Sequence, residues 1–241
     1  MIVARPAAAR GHVQAGWLDS RHTFSFGRYY DPAWMGFGPL RVINEDRVAA
    51  GAGFPPHHHA NMEILSYVLS GALSHRDSTS HDGRGSGGVL RPGELQWMSA
   101  GHGIEHSEFN AAQDAPVHFL QIWIQPDRVN ALPAYAQRAF DPAQRRARWG
   151  ALASPDGADD SLAIRQQAWL RGTLLGVGDS VEWPLDVARR YWLHVVQGEV
   201  VVGDRPLGAG DALGFLEQGG ALRVQGTGSG LADVLLFDLP A

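Results

Sequence analysis

A chain of 241 residues, 44% hydrophobic and 19% charged, has the composition of a globular protein able to bury a substantial core. A formal charge of −5 without any block of Lys or Arg excludes a surface built for a phosphate backbone, and the absence of cysteine excludes disulfides and thiolate metal sites. No run reaches the ~18 consecutive apolar residues of a membrane helix and residues 1–6 lack a signal-peptide pattern, so a soluble, cytoplasmic protein is expected.

Residues 1–50 contain short β-prone pieces, such as His22-Thr23-Phe24-Ser25-Phe26 and Leu40-Arg41-Val42-Ile43-Asn44, between loops marked by Pro and Gly. The aromatic residues here (Phe24, Phe26, Tyr29, Tyr30, Trp34, Phe37) suit either a core or the wall of a pocket for a planar ligand. Ile64-Leu65-Ser66-Tyr67-Val68-Leu69 reads as a buried strand ended by glycine, and Ala72-Leu73-Ser74-His75 as the next strand. A polar, glycine-rich loop spans 77–88 and contains His81; strands follow at Gln96-Trp97-Met98 and over 117–124. Residues 127–160 are richer in Pro, Ala, Arg and Asp and read as a connector with one short helix near 143–148, whose Arg145, Arg146 and Arg148 form a solvated face.

An internal repeat follows. Tyr67-Val68-Leu69-Ser70-Gly71 returns as His194-Val195-Val196-Gln197-Gly198, and Leu90-Arg91-Pro92-Gly93-Glu94 as Leu207-Gly208-Ala209-Gly210-Asp211. Short strands with Gly/Pro turns, duplicated, indicate an all-β chain of two jelly-roll barrels. The expected division is 1–135, a connector at 136–160, and 161–241.

Two runs carry metal-ligating residues at spacing i, i+2: His57 with His59, and His106 with Glu108. Successive strand residues point to opposite faces, so each pair shares a face and His58 points away. Facing strands could then supply three imidazoles and a carboxylate, a set that suits a redox-capable divalent metal and departs from structural zinc. Glu63 shares the parity of His57 and His59; it competes with Glu108 as a ligand, or else hydrogen-bonds a ligand histidine. His102, between two glycines, is a substrate contact or an exposed turn residue. In the second copy the position of His57 is Pro184 and that of His106 is Arg223, so the metal site is expected in the first barrel alone. His75, His81, His118 and His194 read as structural or loop residues, and His12 and His22 lack a partner at ligand spacing.

These residues resemble the cupin superfamily: Gly51, His57, His59 and Glu63 match its first motif, and Gly103, His106 and Asn110 its second. Within it the chain resembles the pirin family along its full length. The runs that carry this are Trp17-Leu18-Asp19-Ser20, His22-Thr23-Phe24-Ser25-Phe26, Leu40-Arg41-Val42-Ile43-Asn44, Met98-Ser99-Ala100-Gly101 and Leu235-Leu236-Phe237-Asp238-Leu239-Pro240. The resemblance implies a bicupin with iron in the N-terminal barrel, held by His57, His59, His106 and Glu108, and a metal-free C-terminal barrel. It also implies an oxidoreductase similar to quercetin 2,3-dioxygenases, which open flavonols with O₂ and release carbon monoxide.

In that reading Glu108 is a general base for the substrate hydroxyl, and Fe(II) is favoured over Mn, Ni, Cu or Zn. The competing readings are an iron-dependent, redox-sensing protein that binds a protein partner, and a cupin enzyme acting on another small molecule. A monomer without nucleic-acid or membrane contacts is expected in each.

Overall fold

A computed structural model describes residues 1–79 and 86–241, so the expectation for His81 lies outside the described residues. The chain forms two compact units, one of Gly11–Phe140 with Ile164–Gln166, the other of Met1–Arg10, Asp141–Ala163 and Gln167–Ala241. Among the described residues no helix is long and apolar enough to cross a membrane.

Each unit pairs a seven-stranded sheet with a four-stranded one, and the second unit repeats the strand order of the first through the central strands of the larger sheet and throughout the smaller one. In the N-terminal unit the larger sheet runs, edge to edge, through Ala134–Ala139, Glu94–Ser99, Glu63–Ser70, Val117–Ile124, Leu40–Val48, Leu18–His22 and Gly11–Gln14. The smaller sheet runs through Gly53–His59, Ile104–Asn110, Leu73–Asp77 and Ser86–Leu90. In the C-terminal unit the corresponding central strands are Ala212–Leu216, Arg189–Gln197, Ala232–Pro240 and Trp169–Leu175, and the smaller sheet begins Ser180–Leu185, Gly220–Gly226. This is the jelly-roll duplication that the repeat implied.

The repeated glycines explain themselves. Gly71 and Gly198 end equivalent strands with φ of +78° and +79°, a region where a Cβ is disfavoured. A Cβ on Gly71 would stand 2.8 Å from the Pro116 carbonyl oxygen, and one on Gly198 2.6 Å from the Ala232 Cα. The same corner is built twice.

Three expectations are corrected. Residues 1–10 belong with the C-terminal unit, because Ile2–Arg5 pairs antiparallel with Ala212–Leu216. The expected connector is structured: it contains most of the edge strand Ala134–Ala139, the 3₁₀ turn Pro142–Arg145 and the strand Gly150–Ser154. The short helix near 143–148 is that 3₁₀ turn, capped by the Asp141 side chain on the Ala143 N–H. Of its arginines, Arg146 and Arg148 are exposed, whereas Arg145 is buried with Asp233 at 3.6 Å.

The two interiors differ in chemistry. The C-terminal unit has a continuous apolar cluster that includes Leu175, Val181, Val195, Leu222, Val224 and Val234. In the N-terminal unit the apolar residues form separate clusters, one with Val48, Val68, Leu73 and Phe119, another with Ile64, Met98 and Ile104. Buried polar residues occupy the same strand faces as these apolar ones: Asn44 and Asp46 before Val48, Ser66 between Ile64 and Val68, Gln96 before Met98, and Gln121 after Phe119. A barrel interior normally fills such positions with apolar side chains. Here a polar layer crosses it.

Candidate metal centre

Gly53–His59 and Ile104–Asn110 pair antiparallel with His57 opposite His106. A register shift between His106 and Glu108 interrupts the ladder at two of the expected ligands, as bulges do beside functional sites. The rings of His57, His59 and His106 form a triangle with centroids 4.4 to 4.8 Å apart, and their ligand nitrogens lie within 4.8 Å of one another. His58 points away and meets Glu105 at 3.2 Å.

The chemistry of these nitrogens fits a metal. His57 Nδ1 lies 2.8 Å from the Pro55 carbonyl oxygen; as the donor there it leaves Nε2 with a free lone pair. Both ring nitrogens of His106 are buried without a hydrogen-bond partner, a costly condition that a bound cation removes for one of them. Burial, with His57, His59 and His75 nearby, lowers the His106 pKa to about 2. Burial and then His57 and His58 lower that of His59 to about 4. Both imidazoles are therefore neutral at physiological pH, which is the form that binds metal.

Glu108 lies in a second grouping, with His75 and His106. Its carboxylate accepts hydrogen bonds from Ser66 Oγ at 2.9 Å and from Gln121 Nε2 at 2.6 Å, so both oxygens are oriented while retaining lone pairs for a cation. His75 is different. Gln96 Nε2 lies 2.9 Å from its Nδ1 and Asp77 Oδ2 lies 2.9 Å from its Nε2, so Gln96 donates, Nε2–H is given to Asp77, and no lone pair remains for a metal. Its ring stacks on Tyr135 and stands 5.3 Å from that of His106. His75 is a packing and orienting residue beside the centre.

Two expected site residues are not brought to it. Glu63 is buried, but it accepts from Trp97 Nε1 at 2.7 Å, from Ser99 Oγ and from the Arg165 backbone N–H at 3.0 Å, and from no ligand histidine. It anchors the returning segment Ile164–Gln166, with Arg165 Nη1 also on Ser99. His102 is exposed, and its backbone N–H donates to the Ala131 carbonyl. It is a turn residue.

A cavity of about 360 Å³ opens beside the histidines, within the range of small-molecule sites. Phe26, Phe54 and Trp123 supply aromatic faces, and Asn44, Asp46, Glu108 and Gln121 supply polar groups. Of the aromatic residues singled out near the N-terminus only Phe26 reaches it, whereas Phe24 and Phe37 are core and Tyr30 is exposed. Sequence reading missed Asn44 and Asp46. They interrupt the apolar alternation Leu40, Val42, Val48, which is the signal that could have found them. It also missed His22, whose Nε2 lies 2.8 Å from Ser20 Oγ, itself hydrogen-bonded to Asp46.

Comparison with known proteins gives a consistent result. A family model described as Pirin matches residues 3–124, and one described as quercetinase C-terminal cupin domain matches residues 151–239. A relative from Escherichia coli K12 named quercetin 2,3-dioxygenase is 43% identical over 241 residues, spanning 100% of this chain and 99% of its own. The crystal structure of YhhW from Escherichia coli superposes with a TM-score of 0.92 at 42% identity, covering 100% of this chain and 98% of that one. The structure of the bacterial pirin YhhW in complex with nickel(II) gives 0.91 at 41% identity, covering 100% and 99%.

Proposed function

Because the chain belongs to the pirin family of two-cupin proteins, we propose that it is a metal-dependent dioxygenase that opens quercetin or a related flavonol with O₂ and releases carbon monoxide. The observation that carries this reading is the juxtaposition of an aromatic-walled cavity with three clustered imidazoles, two of them kept neutral by burial and one of these with both nitrogens unpartnered. His57, His59, His106 and Glu108 would hold one divalent ion, and Fe(II) is the metal we favour, since three nitrogens and a carboxylate suit a redox-capable first-row metal; the related YhhW is known in complex with nickel(II). When bound, the ion supplies Lewis-acid polarisation of a substrate oxygen and a redox-capable site for O₂.

The remaining tasks belong to the chain. Phe26 and Trp123, edge to face at 5.2 Å, and Phe54, which also lines the cavity, enclose a planar ring system and exclude water. Ser66 and Gln121 fix the Glu108 carboxylate, and Pro55 fixes the tautomer of His57, so the donor set is oriented before substrate arrives. A cavity of this size favours a small ligand over a protein partner.

The test is anaerobic reconstitution with Fe(II) followed by oxygen-electrode measurement with quercetin. Oxygen uptake is expected in the wild type and its loss, together with loss of most bound metal, in His106→Ala. Uptake that survives His106→Ala, or tight metal binding with no uptake, would sink the reading.

A further inference from the structure

Asp46 lies on Leu40–Val48 directly opposite Ser20 on Leu18–His22 and lines the cavity that holds His57, His59 and Glu108. Ser20 Oγ donates to Asp46 Oδ1. A serine hydroxyl has one proton, so the 2.8 Å contact from His22 Nε2 to the same oxygen requires His22 to donate. The order His22 Nε2–H to Ser20 Oγ–H to Asp46 Oδ1 is thereby fixed, and it holds the carboxylate in one orientation. The other oxygen, Oδ2, has no hydrogen-bond partner among the described residues. Glu108, the acid first considered as the base, is assigned to the metal in the proposed reading, and each of its oxygens already accepts one hydrogen bond, from Ser66 and from Gln121.

We propose that Asp46 is the proton acceptor of the cavity, taking through Oδ2 the acidic hydroxyl proton of a bound aromatic enol, with Ser20 and His22 as its positioning residues. This deepens the dioxygenase reading and rests on it for the identity of the enol. In the step the substrate O–H bond breaks, its electron pair stays on the substrate oxygen, and an O–H bond forms on Oδ2. The proton returns to the product, so no oxidant or reductant is consumed. Burial pushes the Asp46 carboxyl up to about 7, with the Ser20 hydroxyl pulling against it and the Glu108 and Glu45 charges adding to the rise. A base matched to the working pH transfers protons most effectively. Phe26, edge-on to His22 at 5.5 Å, places an aromatic face beside this chain of groups.

The experiment compares the full-length wild type with Asp46→Asn, whose amide oxygen still accepts from Ser20. Both are loaded with Zn(II), a redox-silent probe metal, and titrated separately with quercetin and with 4-nitrocatechol, whose absorption spectra distinguish the neutral from the ionised hydroxyl. The wild type should bind both ligands ionised and Asp46→Asn should bind them neutral, at equal metal content and with a cooperative melt. In the Fe(II) form kcat for quercetin should fall about 100-fold, with KM changed only a few-fold.

Ionised ligands on Asp46→Asn, or a kcat within about threefold of wild type, would overturn the proposal. So would a wild type that leaves 4-nitrocatechol neutral. Asp46-dependent ionisation of 4-nitrocatechol by a wild type that ignores quercetin leaves Asp46 in its role and rejects the flavonol instead.

Discussion

Asp46 is nearly buried, hydrogen-bonded through one oxygen, and pushed up to about 7 from a usual value near 4. Burial is the largest cause, so the ionised form is the one the fold disfavours. Between the unfolded and folded values the native state holds the extra proton, and stability falls as pH rises through that window. Above pH 7 the native protein carries a buried carboxylate that costs a few kcal/mol. Metal-free Asp46→Asn should therefore be more stable than wild type at pH 8, by about 2–4 kcal/mol, with the advantage shrinking toward pH 5. Chemical denaturation at the two pH values checks this, and an equal difference at both would contradict it. A residue that weakens the fold where it faces a ligand is a usual mark of function.

The clustering of His57, His59 and His106 was legible at this same scale because strand parity joins i and i+2 within one run. Asp46, Ser20 and His22 were not. Their contacts cross between strands, with Ser20 and Asp46 26 positions apart, and no spacing rule within a run reports such a pair. Glu63 misled for the opposite reason: its parity was right, but tertiary partners on Trp97 and Arg165 claimed the carboxylate.

At the scale of elements, the strand-ending glycines announced the duplication. Gly71 and Gly198 share a backbone conformation and a crowded approach to the neighbouring strand, so each should resist a side chain equally. Gly71→Ala and Gly198→Ala are both expected to destabilise by about 2 kcal/mol or more, read as lowered melting temperatures. Tolerance at either corner would show that the two turns are not equivalent.

The elements that escaped sequence reading have weak signatures. Ala134–Ala139 is an edge strand of half-buried Ala, Tyr, Gln and Arg, a composition poor in β-branched residues and easily taken for a linker. Ile2–Arg5 is short, and its partner strand lies some two hundred residues on, so only long-range pairing defines it.

For the molecule as a whole, one scaffold serves two interiors. The C-terminal barrel is filled by aliphatic and aromatic packing, while the N-terminal barrel gives up part of its apolar core to a polar layer around the histidines. A bound ion should therefore stabilise only the polar one. Hydrogen exchange is expected to slow on metal loading in Gly53–His59 and Ile104–Asn110 and to stay constant in the equivalent strands Ser180–Leu185 and Gly220–Gly226. Mass spectrometry of peptides from the four strands measures it, and protection of the second pair would refute a single-barrel site.

Residues 1–10 complete the sheet of the C-terminal unit, and Ile164–Gln166 is held within the N-terminal unit through Arg165 on Glu63. Neither barrel is then one uninterrupted length of chain. A gene fragment cut between them would encode an N-terminal barrel without its Arg165 anchor and a C-terminal barrel without an edge strand. A fresh duplication yields two interchangeable modules, whereas this exchange of segments binds their inheritance together: recombination can replace the pair, and it can no longer shuffle either half alone.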